Sequence, residues 1–284
     1  MSSHTPAEEA GTLPSQASPS PIPYPEGVLE FTEGAYGVRF ARTKEDLEAL
    51  QRLRFEIFNR ELGEGFASSW ATGRDEDRFD AQCHHLMMFH TADQKLVGTY
   101  RMQVANPVGG SNDFYCAEEF DLSRLPAEMV AQSVELGRAC ILKEHRNGLG
   151  LYTLWRGLAS YLTWSGKRYL FGCCSLTSQD PREGEAVRRQ LQESGKVAPD
   201  WHVDPLPAYA CPCEDDSNLP DTPIPRLFGT YLRYGALICG PPAIDRAFGT
   251  IDYFIVIDIE RIDDRLRTLF FAGLEASHPP AANP

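Results

Sequence analysis

The sequence contains no long hydrophobic run, and no lysine or arginine precedes Arg39. A secretory signal starts with basic residues followed by an apolar stretch, and this N-terminal region has neither. A membrane-spanning helix needs about 20 consecutive, mostly apolar residues, which no segment supplies. The sequence therefore predicts a cytoplasmic protein whose closest association with the inner membrane is peripheral contact.

Positive charge is scarce along the whole chain. The 284 residues include 27 lysines and arginines against 40 aspartates and glutamates, which gives a formal net charge of −13. An acidic protein repels the phosphates of nucleic acids, and no basic helix here carries interleaved aromatic residues. We therefore expect no nucleic-acid partner.

The C-x-x-C spacing of zinc sites is also missing, although the chain has 8 cysteines. Cys173 and Cys174 are adjacent, and a single residue separates Cys211 from Cys213. Neither arrangement provides the paired ligands of a structural zinc site. We predict no metal and no permanently bound cofactor.

Residues 1–34 lack the hydrophobic periodicity of the rest of the chain. They are rich in proline, serine, alanine and glutamate, a composition typical of disordered segments. Residues 35–284 have ordinary apolar and charged fractions and are numerous enough to bury one sizeable core. The sequence predicts a disordered N-terminal tail followed by one globular domain.

Hydrophobic periodicity predicts the order of the elements in that domain. YGVRFAR alternates like a strand, and TKEDLEALQRLRFEIFNREL has apolar residues at helical spacing, with Thr43 as its cap. HHLMMFH and KLVGTYRMQV, separated by a short polar turn, form an antiparallel hairpin. The domain is therefore expected to open with a strand, a helix and a hairpin.

A βαβ unit follows the hairpin. SVELGRACIL is its first strand, KEHRNGLG a glycine-rich turn, LYTLWRGLASYLTWSG a buried helix and KRYLFGCCSL the second strand. Two strands that are joined in this way run parallel. Later segments predict a helix in PREGEAVRRQLQ, a long proline-rich loop over residues 201–225, a helix in RLFGTYLRYG, and strands in ALICG and IDYFIVIDI.

The glycine-rich turn is a candidate anion site. Backbone N–H groups at a helix N-terminus carry partial positive charge and can cradle a phosphate. The turn matches neither the G-x-x-x-x-G-K-[ST] loop nor the dinucleotide-binding fingerprint. Taken alone, HRNGLG also fits a purely structural turn.

This order of elements, together with that turn, resembles the GNAT superfamily of acyltransferases. The resemblance implies an α/β fold with a mixed central sheet, two splayed parallel strands that admit a pantetheine arm, and flanking helices. It implies donor contacts at Ala139, Ile141, His145, Arg146, Gly148 and Gly150. His145 stands where the family usually has Gln or Arg, which fits a donor that carries one phosphate, such as acyl carrier protein.

Several blocks narrow the resemblance to one branch. LRFEIFNREL, DRFDAQCHHL, VELGRACI, YLRYGALICG and DRAFGTIDYFIV look like the bacterial N-acyltransferases that make N-acyl amino acids, typified by ornithine-lipid synthesis. The resemblance implies transfer of a long-chain acyl group, 3-hydroxylated in one version, from an acyl-carrier-protein or coenzyme A thioester. The implied acceptor is the α-amine of an amino acid, with ornithine expected. An acyl-homoserine-lactone synthase and a non-catalytic module that binds acyl carrier protein are the alternatives.

The same resemblance carries functional positions onto this sequence. It implies roles in catalysis for Glu135, Arg138 and Arg101. It implies roles in acceptor binding for Arg54, Phe58, Asp77 and Asp80.

Glu135 and Arg138 stand at positions i and i+3 of a predicted strand, so they face opposite sides unless the strand is bulged. The family implies such a bulge, which would aim Glu135 at the cleft. A carboxylate there could take a proton from the attacking ammonium group. The alternative is a salt bridge from Glu135 to Arg101 or Arg138 that holds the sheet together.

Direct transfer needs positioning and an N–H group for the developing oxyanion, which we expect near residues 139–142. The alternative to direct transfer is an acyl-cysteine intermediate on Cys173 or Cys174. Both cysteines also fit a purely structural role as small residues that pack in a central strand.

The paired aspartates Asp77 and Asp80 could bind the acceptor amine or order their own loop. A D-x-x-D pair alone lacks the other oxygen ligands of a metal site. Arg54 and Arg101 could bind the acceptor carboxylate or fix those two aspartates.

Overall fold

The computed structural model describes residues 22–105 and 110–274. The strands are β1 (Phe31–Glu33), β2 (Tyr36–Phe40), β3 (His84–His90), β4 (Lys95–Val104), β5 (Ser133–Ile141), β6 (Tyr169–Leu176), β7 (Leu237–Ile238), β8 (Ala243–Asp245) and β9 (Thr250–Asp258). The helices are α1 (Lys44–Phe55), α2 (Ser69–Thr72), α3 (Ala127–Ala131), α4 (Gly148–Ser165), α5 (Pro181–Glu193), α6 (Arg226–Arg233) and α7 (Asp264–Phe271). A π-helical segment, Glu56–Leu62, continues α1.

The strands form one mixed sheet in the order β1-β2-β3-β4-β5-β6-β9-β7, and β8 pairs with β9. Among the strands of the described residues, β5 and β6 are the one pair that runs parallel, and α4 connects them. The predicted hairpin of β3 and β4 and the predicted βαβ unit are therefore confirmed. Helices on the sheet complete the expected α/β architecture.

The parallel pair separates along its length. Its register runs from Ser133 opposite Tyr169 to Leu136 opposite Gly172. Beyond that position β5 stays paired with β4, and β6 stays paired with β9. A cleft therefore opens between the two central strands, as the sequence resemblance implied.

A β-bulge in β5 lies directly at this cleft. Arg101 pairs with Gly137 and Thr99 with Cys140, so β5 has one more residue than β4 over this stretch. Arg138 is one of the two β5 residues that lie opposite the single β4 residue Tyr100. It has φ +49°, a left-handed conformation that is unusual for a residue with a side chain. The predicted bulge is present, and it changes the direction of the residues that follow it.

Both faces of the sheet are covered. Helix α4 lies so close to β3 that a Cβ atom on Gly157 would come within 2.5 Å of the Leu86 side chain. On the opposite face, residues 114–130 pack on β6 and β9, with the Phe114 and Phe171 rings 4.8 Å apart. The cleft between β5 and β6 thus lies in the middle of the molecule.

Side-chain caps set where the helices begin. Thr43 accepts a hydrogen bond from the backbone N–H of Asp46, which confirms the predicted cap of α1. Asn147 caps α4 by accepting from Gly150 N–H at 2.8 Å. This cap starts the helix at Gly148, earlier than the predicted Leu151. A Cβ atom on Gly150 would lie 2.5 Å from the His145 carbonyl oxygen, so this close turn requires glycine.

The predicted boundary at residue 34 needs correction. Strand β1 lies before it and pairs with β2. Ser160 Oγ on α4 donates to the Leu29 carbonyl, and Trp164 Nε1 donates to the Glu26 carbonyl. These bonds satisfy backbone groups of a segment whose composition resembles a disordered tail. The rest of the predicted tail, residues 1–21, lies outside the described residues.

Some elements had no clear signal in the sequence. Strand β8 is short, α7 follows a polar turn, and the π-helical segment continues the periodicity of α1. Within the described part of the chain, no helix is both long and apolar enough to cross a membrane.

Candidate active site

A cavity of about 290 Å³ lies where β5 and β6 separate. This volume is close to the lower end of the range for small-molecule sites, about 300 to 1,000 Å³. Strands β5, β6 and β9, helix α6 and the loop after α1 contribute its walls. The cavity therefore coincides with the splayed strands, the bulge and the proline-rich loop that ends at α6.

One side of the cavity is apolar. Its wall faces the core between the sheet and the helices α4 and α6, and it comprises Leu170, Phe228, Tyr231, Ile255 and Ile257. The hydroxyl of Tyr231 is hydrogen-bonded to that of Tyr100, so this wall has few free polar groups. An acyl chain could be buried here without exposing unpaired polar groups.

The other side of the cavity is acidic. Glu64, Glu119 and Asp252 line it, together with Ser175 and Thr177. Thr177 Oγ1 donates to Glu64 Oε1 at 2.5 Å, which links the loop after α1 to the end of β6. Burial raises the pKa of the Glu64 carboxyl above its usual value.

Next to the cavity, three arginines and three aspartates form a closed ring of ion pairs. Each arginine contacts two aspartates, and each aspartate contacts two arginines. The pairs are Arg54–Asp75 at 2.9 Å, Asp75–Arg138 at 3.1 Å, Arg138–Asp77 at 3.1 Å, Asp77–Arg101 at 2.6 Å, Arg101–Asp80 at 3.1 Å and Asp80–Arg54 at 2.7 Å. The ring has no net charge, so it can be buried without an uncompensated ion.

The charges in this ring hold each other ionised. Burial alone would raise the pKa of Asp80, but the guanidiniums of Arg54 and Arg101 hold it far below its usual range. Burial opposes the ionised form of Asp77 in the same way, and Arg101 and Arg138 lower its pKa. Both carboxyl groups are therefore ionised at any ordinary pH.

The ring includes most of the residues for which acceptor binding was predicted. Arg54, Asp77 and Asp80 form ion pairs within the ring, and none of the three lines the cavity. These contacts favour the alternative role, in which the arginines fix the aspartates and order the loop. Phe58, by contrast, lines the cavity, and Arg138 is the one ring member that does so.

Arg138 reaches the cavity because of the bulge. Its guanidinium lies over the rings of Phe66, Tyr115 and Phe248, at 5.4, 4.9 and 4.7 Å from their centroids. Three aromatic faces and two carboxylates thus hold one guanidinium in a fixed place. A fixed cation in a cavity wall can bind a carboxylate.

Glu135 accepts hydrogen bonds from backbone N–H groups instead of pairing with Arg101 or Arg138. Its Oε2 accepts from Tyr115 N–H at 2.9 Å and its Oε1 from Cys116 N–H at 2.7 Å, and it forms no salt bridge within the described residues. It does not line the cavity. Its pKa is raised by burial. Its contacts support a positioning role for the segment that carries Tyr115, and its role in the chemistry stays a prediction.

The predicted donor turn lies at the start of α4. His145 Nδ1 lies 3.2 Å from Tyr36 Oη, and Arg146 forms two hydrogen bonds with Glu61 and one with the Ile141 carbonyl. Gly148 is exposed, with open space around its Cα atom. The backbone at Gly148 is therefore accessible to an anion at the positive end of an 18-residue helix.

Ala139 connects the turn to the cavity. It belongs to the bulge in β5 and lines the cavity beside Arg138. Ile141 ends the strand and precedes the turn. The predicted donor positions thus follow one path from the helix start to the cleft.

Sequence reasoning missed the acidic wall. Glu119, Asp245 and Asp252 are buried, and one carboxylate oxygen of each lies within 4.8 Å of the others. The signal for Asp252 was present, because an aspartate inside the apolar run IDYFIVID is unusual. Glu64 and Glu119 lie in irregular polar segments and gave no such signal.

The two cysteines in β6 are unsuited to nucleophilic catalysis. Cys173 and Cys174 both line the cavity. A hydrogen bond with Cys116, together with burial, raises the pKa of Cys173, and burial raises that of Cys174. Because the thiolate is the reactive form, these contacts favour a packing role over an acyl-cysteine intermediate.

Several known proteins are similar to this chain. The acetyltransferase (GNAT) domain family matches residues 53–156. An L-ornithine N(alpha)-acyltransferase of Brucella abortus (strain 2308) is 34% identical over 257 residues, which cover 86% of this chain and 91% of that protein. An L-ornithine N(alpha)-acyltransferase of Rhizobium meliloti (strain 1021) is 31% identical over 243 residues, which cover 80% and 81%. Among solved structures, an N-acyl amino acid synthase from uncultured soil microbes has a TM-score of 0.48 at 10% identity, covering 80% of this chain and 93% of that one.

Proposed function

This chain belongs to the family of the L-ornithine N(alpha)-acyltransferases and is an acyltransferase with a GNAT domain; from that membership we propose that it transfers a fatty acyl group from a thioester to the α-amine of ornithine. The observation that carries the proposal is the alignment of 86% of the chain with one such enzyme. A cavity with an apolar side and an acidic side, at the point where β5 and β6 separate, supports it.

The donor is a long-chain acyl thioester of acyl carrier protein. Its phosphate binds at the backbone of Gly148 on the positive end of α4, beside His145 and Arg146. Its pantetheine arm passes along the bulge, where Ala139 lines the cavity. The acyl chain lies against the apolar wall.

The acceptor binds with its α-carboxylate toward Arg138. This guanidinium lines the cavity and is fixed by its aromatic and acidic neighbours. Because its position does not depend on the substrate, little entropy is lost when the carboxylate binds. The carboxylate then orients the α-amine toward the thioester.

Glu64 is the proton acceptor for the attacking amine. It lines the cavity, it lies outside the three-carboxylate cluster, and its raised pKa brings it closer to that of an ammonium group. The neutral amine attacks the thioester carbonyl carbon, and the backbone N–H of Ala139 stabilises the oxyanion. The C–S bond then breaks, and the leaving thiolate takes the proton from Glu64. The freed Glu64 carboxylate accepts the second proton of the attacking nitrogen and passes it to solvent, which leaves the neutral amide.

Glu135 acts indirectly in this scheme. Its two hydrogen bonds hold the backbone at Tyr115 and Cys116, and the Tyr115 ring in turn packs on the Arg138 guanidinium. The ion-pair ring fixes Arg138 from its other side. Both features keep a buried cation in one orientation.

The test begins with expression of the full chain in a bacterial host that lacks aminolipids, followed by mass spectrometry of the lipid extract. A new species with the mass of ornithine plus a fatty acid minus water supports the proposal. An acyl-homoserine lactone in the medium, without such a species, would replace it with the alternative activity.

The donor is tested with the purified protein. We expect acyl carrier protein carrying a long-chain acyl group to give a higher kcat/KM than coenzyme A carrying the same chain. An equal or higher kcat/KM with the coenzyme A thioester would refute the preference for acyl carrier protein.

A further inference from the structure

The two groups of buried carboxylates near the cavity differ in their charge balance. Each aspartate of the ion-pair ring forms salt bridges with two arginines, although Asp75 Oδ1 has no hydrogen-bond partner among the described residues. Within residues 22–105 and 110–274, no lysine, arginine or histidine forms a salt bridge with Glu119, Asp245 or Asp252, and the remaining residues contain no lysine or arginine. The described residues therefore supply no salt-bridge cation for this acidic cluster.

Asp252 has a buried carboxylate oxygen that no donor in the described part of the chain satisfies. Its side chain lines the cavity although the residue is only 4% exposed. Its Oδ2 accepts from Thr250 Oγ1 at 3.0 Å, whereas its Oδ1 has no hydrogen-bond partner in the described part of the chain. A buried carboxylate oxygen without a partner is costly, so its presence at a cavity wall indicates a ligand that satisfies it.

The other two carboxylates lie where they can share the same ligand. Oxygens of Glu119, Asp245 and Asp252 all lie within 4.8 Å of one another. Asp245 Oδ1 already accepts from the backbone N–H groups of Ala247 and Phe248, which holds that side chain in place. Three acceptors grouped around one point match the three N–H donors of a primary ammonium group.

We propose that Glu119, Asp245 and Asp252 form a subsite for the side-chain ammonium group of the acceptor, so that the enzyme selects a diamino acid. This inference rests on the proposed function and names the part of the site that recognises the side chain. Asp252 and Glu119 accept from the ammonium group at the cavity wall, and Asp245, which does not line the cavity, supplies the third acceptor from behind them.

The side-chain amine suits this cluster better than the α-amine does. Negative charge stabilises an ammonium group, whereas the attacking amine must lose its proton. Side-chain amines keep their proton up to a pH of about 10.4, and α-amines lose theirs near pH 8. The cluster therefore binds the amine that stays charged and leaves the other free to react.

A divalent metal ion fits the cluster less well. Calcium takes 6 to 8 oxygen ligands, roughly, and magnesium a near-ideal octahedron. Here Asp245 Oδ1 and Asp252 Oδ2 are already engaged by backbone and hydroxyl donors. Few oxygens remain for a metal, and a primary ammonium needs only three.

The test compares ornithine with norvaline, which has the same carbon skeleton without the side-chain amine. The kcat/KM of both acceptors is measured with the same donor for wild type, Asp252→Asn and Glu118→Gln. Glu118 lies next to the cluster in sequence, but it forms an exposed ion pair with Arg78 and so controls for loss of a nearby charge. All assays are repeated with EDTA.

We expect wild type and Glu118→Gln to prefer ornithine by at least about 100-fold. In Asp252→Asn this preference falls at least tenfold, through a higher KM for ornithine, while the kcat/KM for norvaline changes little. Glu119→Gln, on a different segment, gives the same pattern and serves if Asp252→Asn does not fold.

Equal losses for both acceptors in the two variants would overturn the subsite, as would an unchanged preference. A preference that disappears with EDTA would assign the cluster to a metal ion instead. If wild type acylates neither acceptor, the proposed function fails, and calorimetric titration of ornithine into wild type and Asp252→Asn then decides the subsite: equal affinities refute it, and weaker binding to the variant supports it.

Discussion

Leu136 and Gly172 are the last residues that pair across the parallel strands β5 and β6, and the Leu136 carbonyl oxygen leaves no room for a Cβ atom on Gly172. The strands approach each other closely at this point and then separate into the cleft. The position of the cleft therefore depends on a backbone contact that only glycine permits.

Gly172→Ala is expected to displace one strand at the start of the cleft. The backbone oxygen cannot move as a side chain would, so we expect a loss of about 1 to 3 kcal/mol in the free energy of unfolding. Because Gly172 lines the cavity that receives the donor, kcat/KM is expected to fall at least about tenfold. Urea denaturation and steady-state kinetics measure both effects. Gly229→Ala, where the nearest atom is the Arg233 Nη1 at 3.7 Å, is the matched control. It should leave kcat/KM unchanged and, because alanine favours a helix, raise the free energy of unfolding by about 1 kcal/mol or less.

Asp80→Asn is expected to destabilise the folded protein by about 3 to 5 kcal/mol, because it leaves Arg54 and Arg101 buried with fewer carboxylate partners. The lowered pKa of Asp80 means that its stabilisation is present at any pH above the ordinary carboxyl range. As the pH falls toward its folded-state pKa, the stabilisation is lost and the difference from wild type narrows. Urea denaturation at pH 7 and at about pH 3 tests both statements.

The control for Asp80→Asn is Glu56→Gln, which removes an exposed ion pair with Arg60. Its effect should stay below about 0.5 kcal/mol. Similar losses of stability in the two variants would show that the buried ion-pair ring stabilises the fold no more than an exposed ion pair does.

Asp252→Asn is expected to make the ligand-free protein more stable at pH 8. Burial raises the pKa of Asp252 to about 6, above its unfolded value near 3.9, so the wild-type carboxyl favours folding while it is protonated. As the pH rises through about 6, that contribution is lost, whereas asparagine has no proton to lose. The gain is of the order of 1 to 3 kcal/mol at pH 8 and disappears below about pH 4. Thermal melts across this range measure it, and a variant less stable than wild type at pH 8 contradicts it.

Gly148→Asp is expected to weaken donor binding. An aspartate at the start of α4 is favourable for the helix, so the fold should be retained. Its negative charge repels a phosphate at the same place, and we expect the KM for the donor to rise at least about tenfold with an unchanged KM for ornithine. Gly148→Ala, which has open space for its methyl group, is the control and should bind the donor normally. An unchanged donor KM in the aspartate variant would remove the phosphate from this turn.

Glu64→Gln is expected to lower kcat by about 100-fold or more with either ornithine or norvaline, because both α-amines must lose a proton. Glutamine can still accept the hydrogen bond from Thr177, so the link to β6 should remain. The activity that remains should rise with pH, as deprotonation then depends on the solvent. A loss confined to ornithine would place Glu64 with the ammonium subsite instead.

Patterns among residues close together in the sequence predicted a large part of this architecture. The alternation in SVELGRACIL and KRYLFGCCSL, with a buried helix between them, indicated the parallel pair. The cap at Thr43 and the hairpin of β3 and β4 were also evident, because each depends on residues close together in the chain. Strand β1 was missed because its proline-rich surroundings have the composition of a disordered segment.

The sequence itself determined the order of the elements and the glycines of the turn at α4, and the resemblance predicted five of the six members of the ion-pair ring, without Asp75. Only the tertiary structure decided how those charges combine. Asp75, Asp77 and Asp80 form six ion pairs with Arg54, Arg101 and Arg138. Glu119 meets Asp245 and Asp252, which lie much later in the chain, beside the cavity and without a salt-bridge partner among the described residues. The physical reason is that periodicity reports local geometry, whereas pairing and desolvation depend on distances that the register of β5, β6 and β9 sets.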